Sequence, residues 1–164
     1  MAFRRVCEPL RKRLPLKIEM KSVRKLRVHW PIAPESFSRL ATGDVEAFED
    51  EAGIVALLQA LSESPDLGDF GNYRHVFESG LGFEGFTCAE GAKPTLGQVG
   101  QRTISPTLVL TTYFDALLDD VAVERFLQRI VDIHPWEVPV IELTGPLSVS
   151  CTALPAVFES ASAS

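Results

Sequence analysis

Residues 25–30 read Lys-Leu-Arg-Val-His-Trp, a strict alternation of polar and apolar side chains on which the fold prediction depends. Successive side chains of a strand point to opposite faces of a sheet, so this pattern predicts a half-buried strand. Its apolar face carries Leu26, Val28 and Trp30, and Pro31 ends it. One side of the resulting sheet therefore needs a cover of other elements, and the other side is polar.

Further helices and strands follow from the spacing of apolar residues. Apolar positions three and four apart predict helices, short aromatic or β-branched runs predict strands, and glycine clusters predict turns. The predicted elements are helices at Pro34–Leu40 and Val45–Leu58, strands at Tyr73–Glu78 and Thr107–Phe114, a helix capped by Asp119 or Asp120 that ends at His134, and a strand at Val138–Leu143. Gly80–Gly100 holds six glycines and is predicted to be a turn-rich loop.

The order strand, helix, strand, strand, helix, strand is that of a ferredoxin-like split βαβ fold. We therefore predict an α+β domain in which an antiparallel four-stranded sheet carries two helices on one face. A chain of 164 residues has room for one such domain, predicted at 23–145. The basic segment 1–22 and the Ser/Ala-rich segment 146–164 are predicted to be disordered.

Charge is divided unevenly along the chain. Residues 1–27 hold ten of the 16 basic residues and only two of the 22 acidic ones, so the remainder is strongly acidic. Because nucleic-acid binding depends on neutralising phosphates, a nucleic-acid partner is not expected. The apolar runs are shorter than the roughly 20 residues of a membrane-spanning helix, so no membrane span is predicted.

Three cysteines, Cys7, Cys88 and Cys151, form no zinc motif and leave an odd thiol in any pairing. We therefore expect a reducing, cytoplasmic environment. The basic arm keeps a mitochondrial location open as the alternative. Residues 1–19 are open to three interpretations: a targeting signal, a disordered extension, or sequence upstream of the translated start.

Catalytic motifs are weak in this chain. Gly80-x-Gly82-x-x-Gly85 has the spacing of a dinucleotide-binding fingerprint, but no helix is predicted after it, so that interpretation is rejected. Neither Cys88 nor Cys151 lies in the strand-turn-helix context of a nucleophile. No catalytic residue is assigned.

Two separated segments carry a family resemblance. Residues 71–86 read Gly-Asn-Tyr-Arg-His-Val-Phe-Glu-Ser-Gly-Leu-Gly-Phe-Glu-Gly-Phe, residues 90–94 read Glu-Gly-Ala-Lys-Pro, and Gly97 and Gly100 follow. Residues 134–139 read His-Pro-Trp-Glu-Val-Pro. This combination resembles the small CutA-like domain of the Nif-three (Ngg-one-interacting factor) family, which also occurs as a stand-alone protein, and its second motif is similar to that of CutA.

The resemblance implies a ferredoxin-like fold of the CutA and PII-like type that assembles into a homo-oligomer, a dimer or a trimer, through its sheet. The metal ligands of the large Nif-three proteins belong to another domain, so no dinuclear metal site is carried over. The third predicted strand, with Thr107–Thr112, lacks the charged pattern of relatives. No ligand role of that strand is carried over either.

The residues of the two motifs are the candidates for ligand binding: Asn72, Tyr73, His75, His134 and Glu137. A divalent metal held by His75, His134 and Glu137 is left open, because imidazole nitrogens and carboxylate oxygens can share such an ion. Structural roles are the favoured interpretation of these three residues: a carbonyl bond for His134, backbone N–H groups for Glu137, and a subunit contact for His75.

The favoured function is a non-enzymatic, oligomeric binding or regulatory module that holds a small ligand or metal at subunit interfaces. One alternative is a small hydrolytic enzyme that uses His75, His134 or Glu137 as acid or base. A second alternative is a scaffold for a protein partner, with the basic arm as its docking segment.

Overall fold

Nine elements are formed by the part of the chain that the structure, a computed structural model, describes, residues 18–152. They are β1 (Ile18–Pro31), α1 (Pro34–Ala41), α2 (Ala47–Asp50), α3 (Ala52–Ser62), β2 (Glu78–Thr87), β3 (Arg102–Asp115), α4 (Asp120–Ile133), β4 (Ile141–Leu143) and β5 (Leu147–Thr152). All strand pairs are antiparallel. The predicted α+β class with an antiparallel sheet is therefore confirmed.

The sheet is organised around the long strand β1. The strand order is β2-β3-β1-β4, and β5 pairs with β1 on the same side as β4. One half of β1 pairs with β5, from Ile18 to Val23, and the other half pairs with β4, from Leu26 to Val28. β1 thus pairs along one side with two short strands, first β5 and then β4.

The prediction of four strands and two helices needs correction, since the described residues form five strands and four helices. The fifth strand lies in the segment predicted to be a disordered tail from residue 146. There Leu147 and Val149 alternate with serines, which is the period of a half-buried strand. The predicted boundary at 22/23 is corrected as well, because β1 begins at Ile18. Predictions for 1–17 and 153–164 concern segments outside the described residues.

The predicted strand at Tyr73–Glu78 is wrong. β2 begins only at Glu78 and runs through the glycine-rich stretch that was predicted to be a loop. Gly80, Gly82 and Gly85 are absent from the positive-φ glycines, which begin in this region at Gly91, so the first three glycines extend the strand instead of turning it.

The predicted helix at Val45–Leu58 is divided in two. Glu51 separates α2 from α3 with an extended backbone, φ −84° and ψ 105°. The Ser36 hydroxyl donates a hydrogen bond to the Glu51 carboxylate and ties this break to α1. At the other end of the domain the predicted cap is confirmed, because the Asp119 carboxylate accepts from the Ala122 N–H at 2.9 Å and α4 ends at Ile133, before His134.

The core lies between one face of the sheet and the helices. Leu26, Val28 and Trp30 of β1 form the predicted buried face. All four helices contribute to the same apolar cluster, whose other members include Phe37, Phe48, Ile54, Leu57, Leu108, Leu110, Phe114, Phe126 and Ile130. The opposite face, here called the polar face, carries Arg27, His29, Glu84, Thr107 and Glu142. No helix within 18–152 is long and apolar enough to cross a membrane.

Candidate functional site

His134 is a structural residue at the end of α4. Its ring is buried, its Nε2 donates to the His29 carbonyl oxygen at 2.8 Å, and its Nδ1 accepts from the Trp136 N–H at 3.1 Å. It also packs edge-on against Trp30, with ring centroids 4.7 Å apart. Burial lowers the pKa of His134, because the charged imidazolium would lose its hydration. Both nitrogens of the ring are therefore occupied within the fold.

Asn72, Tyr73 and His75 lie in the exposed segment between α3 and β2. This segment is held by two backbone hydrogen bonds of Gly68, whose N–H donates to Tyr113 and whose carbonyl accepts from Val76. His75 has a left-handed backbone, with φ 54°, which turns the chain into β2. These three candidates are not among the residues that line the cleft described next.

Glu137 does line a cleft, at the end of the sheet where β2 leaves it. The cleft has a volume of about 350 Å³ and is formed by the end of β2, the glycine-rich segment after it and the chain that follows His134. Its lining residues are Glu84, Gly85, Phe86, Thr87, Cys88, Ala89, Ala92, Pro94, Thr95, Leu96, Trp136, Glu137, Val138 and Val140. The two motifs on which the family resemblance depends thus meet around one cleft.

Hydrogen bonds connect the two walls of this cleft. Glu137 accepts from the Lys93 N–H at 2.9 Å, as its favoured structural interpretation predicts, and the Thr95 hydroxyl donates to the Pro135 carbonyl oxygen at 2.7 Å. Phe86 and Trp136 pack edge to face at 5.5 Å between ring centroids. The walls are therefore fixed relative to each other by polar and aromatic contacts.

Beside the cleft, His29 lies between two carboxylates on the polar face. Its Nε2 is 2.8 Å from Oε1 of Glu142, and its Nδ1 is 3.5 Å from Oε1 of Glu84. Arg27 also contacts Glu142, at 3.0 Å. Contact with His29, together with the charge of Arg27, keeps the pKa of Glu142 below its ordinary value.

Glu84 both lines the cleft and contacts His29. Its side chain is 17% exposed, and its closest polar contact besides His29 is the Thr107 hydroxyl, at 3.4 Å. The His29 Nδ1 is buried and has no hydrogen-bond partner among the described residues. The Glu84 side chain is thus mostly buried, and the hydrogen-bonding groups of His29 and Thr107 contact its carboxylate only at 3.5 and 3.4 Å.

His29 and Glu84 are not among the site residues predicted from the sequence. The alternation at 25–30 does place His29 on the polar face, but the partners of that face come from β2 and β4, far away along the chain. Within 18–152 no group of three or more His, Cys, Asp or Glu side chains is arranged to hold a metal ion.

Comparison with known proteins gives a likeness in fold. No protein-family model and no curated protein matches the chain. Among solved structures, a Bacillus cereus protein related to NIF3 matches it with 19% sequence identity and a TM-score of 0.53. The match covers 82% of this chain and 28% of that protein, so the chain spans little more than a quarter of its length. The resemblance to the Nif-three family is thus confirmed at the level of the fold.

Proposed function

We propose that this chain is a non-enzymatic binding module of the CutA and PII-like type, which self-associates through its sheet and holds a small ligand in the cleft at the end of β2. The order β4-β1-β3-β2 with all neighbours antiparallel supports a ferredoxin-like unit to which β5 is added. The polar groups of His134 are used inside the fold, which favours binding over acid-base catalysis.

The free edge of β2 is the observation that carries this proposal. Among residues 18–152, β2 pairs with β3 on one side and with no strand on the other, so one edge of this ten-residue strand is free for pairing. Such an edge is a template for another strand, and proteins normally protect it with short length, charge or a covering segment. A Cβ atom at Gly80 or Gly82 would meet nothing within 4 Å, so the face of the sheet that these two positions share is not covered by described residues there.

Exposed apolar side chains flank the same edge. Phe83 is 65% exposed and Ile104 is 58% exposed, and the strand register places Phe83 beside Pro106 and Gly85 beside Ile104. Phe83 also contacts Phe37 of α1, with ring centroids 4.8 Å apart. A surface that combines an open strand edge with exposed aromatic and β-branched residues is suited to contact a second copy of the chain.

Sedimentation of the full chain tests this proposal. We expect a species heavier than the 18.0 kDa monomer at micromolar concentration, and we expect Phe83→Lys to shift it toward the monomer by placing a charge at the contact. Val121→Lys is the matched control, because Val121 is also 65% exposed but lies on α4. The control should sediment as the wild type does.

Two results would overturn the proposal. A wild-type chain that remains monomeric at micromolar concentration would remove self-association altogether. Equal sedimentation of Phe83→Lys and the wild type would show that the β2 edge is not the contact surface.

A further inference from the structure

We propose that the cleft beside β2 binds a small organic cation: a protonated amine attached to an apolar, preferably aromatic, body. This inference rests on the proposed function as a binding module and names the chemical class of its ligand. It is based on the shape of the cleft, the charge of its lining and the environment of Glu84.

The walls of the cleft suit an apolar body. Its volume of about 350 Å³ lies in the range of small-molecule sites, which are mostly apolar and carry a few polar groups that fix orientation. Phe86 and Trp136 supply aromatic surface, and Leu96, Val138 and Val140 supply aliphatic surface. Val138 is 78% exposed and Leu96 43% exposed, so apolar area remains for a ligand to cover.

The charge of the cleft is negative. Glu84 and Glu137 line it, and none of the described lining residues is Lys or Arg. Lys93 is close in sequence, but it meets Glu137 through its backbone N–H and is not part of the lining. An anionic ligand would be repelled by the two carboxylates, whereas an ammonium group would be attracted.

Glu84 is the carboxylate of the cleft that has no close hydrogen bond among the described residues, whereas Glu137 has one at 2.9 Å. The Glu84 side chain is only 17% exposed, yet its contacts to Thr107 and His29 are 3.4 and 3.5 Å long. A mostly buried side chain without a close partner gains from a charge-assisted hydrogen bond, and an ammonium group offers three donors. A cation over the face of a neighbouring Trp ring gains a further attraction, which Trp136 can provide.

Titration calorimetry with three probes of similar shape tests this inference. The probes are 2-phenylethylamine as the cation, 2-phenylethanol as the neutral analogue and 3-phenylpropionate as the anion. At neutral pH we expect the amine to bind about tenfold more tightly than the alcohol, with the propionate weakest. Added salt should weaken binding of the amine more than binding of the alcohol.

Variants of the two carboxylates locate the binding site. Glu84→Gln should weaken binding of the amine about tenfold and leave binding of the alcohol unchanged. Glu137→Gln should weaken it about twofold, because Glu137 is exposed and an exposed charge pair contributes less. Glu124→Gln, on the exposed surface of α4, is the matched control and should leave affinity unchanged. Glu137→Gln changes an exposed side chain, so it keeps the test valid even if Glu84→Gln fails to fold.

Several outcomes would overturn the inference. These are tighter binding of the alcohol or the propionate, no binding of any probe, or equal amine affinity in the wild type and both variants. Sedimentation separates this failure from that of the proposed function: an intact oligomer that does not prefer the amine leaves self-association standing and removes only the ligand class.

Discussion

His134 donates a hydrogen bond from Nε2 to the backbone carbonyl oxygen of His29 at 2.8 Å and so joins the end of α4 to the central strand. The Trp136 N–H donates to Nδ1 of the same ring, which leaves the imidazole neutral with its proton on Nε2. The contact fixes the start of the segment that forms one wall of the cleft. Because the ring must be neutral to make both hydrogen bonds, the strength of these contacts should depend on pH.

We expect the free energy of unfolding to decrease as the pH falls below about 6.5, the ordinary pKa of histidine. The pKa of His134 is lower in the folded chain, so the unfolded chain binds the proton first. The contribution of His134 to the free energy of unfolding is complete above the pKa that its ring has in the unfolded chain. It is lost as the pH falls through the lower pKa of the folded chain. His134→Gln should make the profile flatter, as measured by urea unfolding at about pH 7.5 and about pH 5.

His134→Gln should also lower stability at neutral pH, by about 1–3 kcal/mol, because a buried hydrogen-bond pair is disturbed. The exposed His75 provides the control, since His75→Gln changes a side chain outside the core. If both variants kept the wild-type pH dependence, His134 would not be the group responsible.

Glu142 should give a second, weaker acid dependence. Its pKa is lowered by contact with His29 and by the charge of Arg27, so its contribution is present above the unfolded pKa and is lost as the pH falls through the folded one. Because the side chain is 42% exposed, solvent screening keeps the effect small. Glu142→Gln should reduce the slope of stability against pH below about 4.5 without changing it near neutrality. Chemical unfolding across that range measures the slope, and an unchanged slope would contradict the prediction.

Gly53→Ala should destabilise the domain by about 1–2 kcal/mol, although alanine is the better helix former. A Cβ atom at Gly53 would lie 2.8 Å from Nε1 of Trp30, which is 2% exposed and held by the core. Thermal unfolding measures the loss. Gly80→Ala is the control, since nothing lies within 4 Å of its Cβ position, and it should change stability by less than about 0.5 kcal/mol. Equal melting temperatures for the two variants would show that the Trp30 side chain can move away from this Cβ atom at little cost in stability.

Asp119→Ala should cost about 1 kcal/mol by removing the acceptor for the Ala122 N–H at the start of α4. Asp119→Asn should retain most of the stability, because asparagine caps helices about as well. Asp120→Ala should cost only a few tenths of a kcal/mol, since this residue interacts with the helix dipole without capping it. Denaturant titration of the three variants tests the order, and a larger loss for Asp120→Ala would refute it.

Several elements are encoded locally, and these could be predicted from the sequence. The alternation at 25–30 gives the buried face of β1, and Asp119 and Pro135 bound α4. The segment from Gly80 misled prediction because glycine permits both turns and extended strands, and only pairing with β3 decides between them. The fifth strand was missed for a related reason: Leu147–Thr152 is short and serine-rich, and it is defined by its partner in β1.

The candidate site was predicted only in part. The two motifs meet at the cleft through Glu137, but the residues that give the cleft its charge environment include Glu84 and its neighbour His29. These two residues lie on β1 and β2 with β3 between them, and the residue spacing within one strand does not indicate which side chains of another strand will lie beside it. Register between distant strands is set by the packing of the whole sheet.

The pairing of Ile18 with Thr152 brings the first and the last of the described residues together in one ladder. When two such points of a chain lie close together, the segment between them can be inserted into another protein or circularly permuted with little change to its core. A circular permutant with Ile18 linked to Thr152 should therefore keep the same sheet. A reporter placed at either point would also lie beyond the Val23–Asp115 pair, toward the start of β2, whereas the cleft lies at the end of β2.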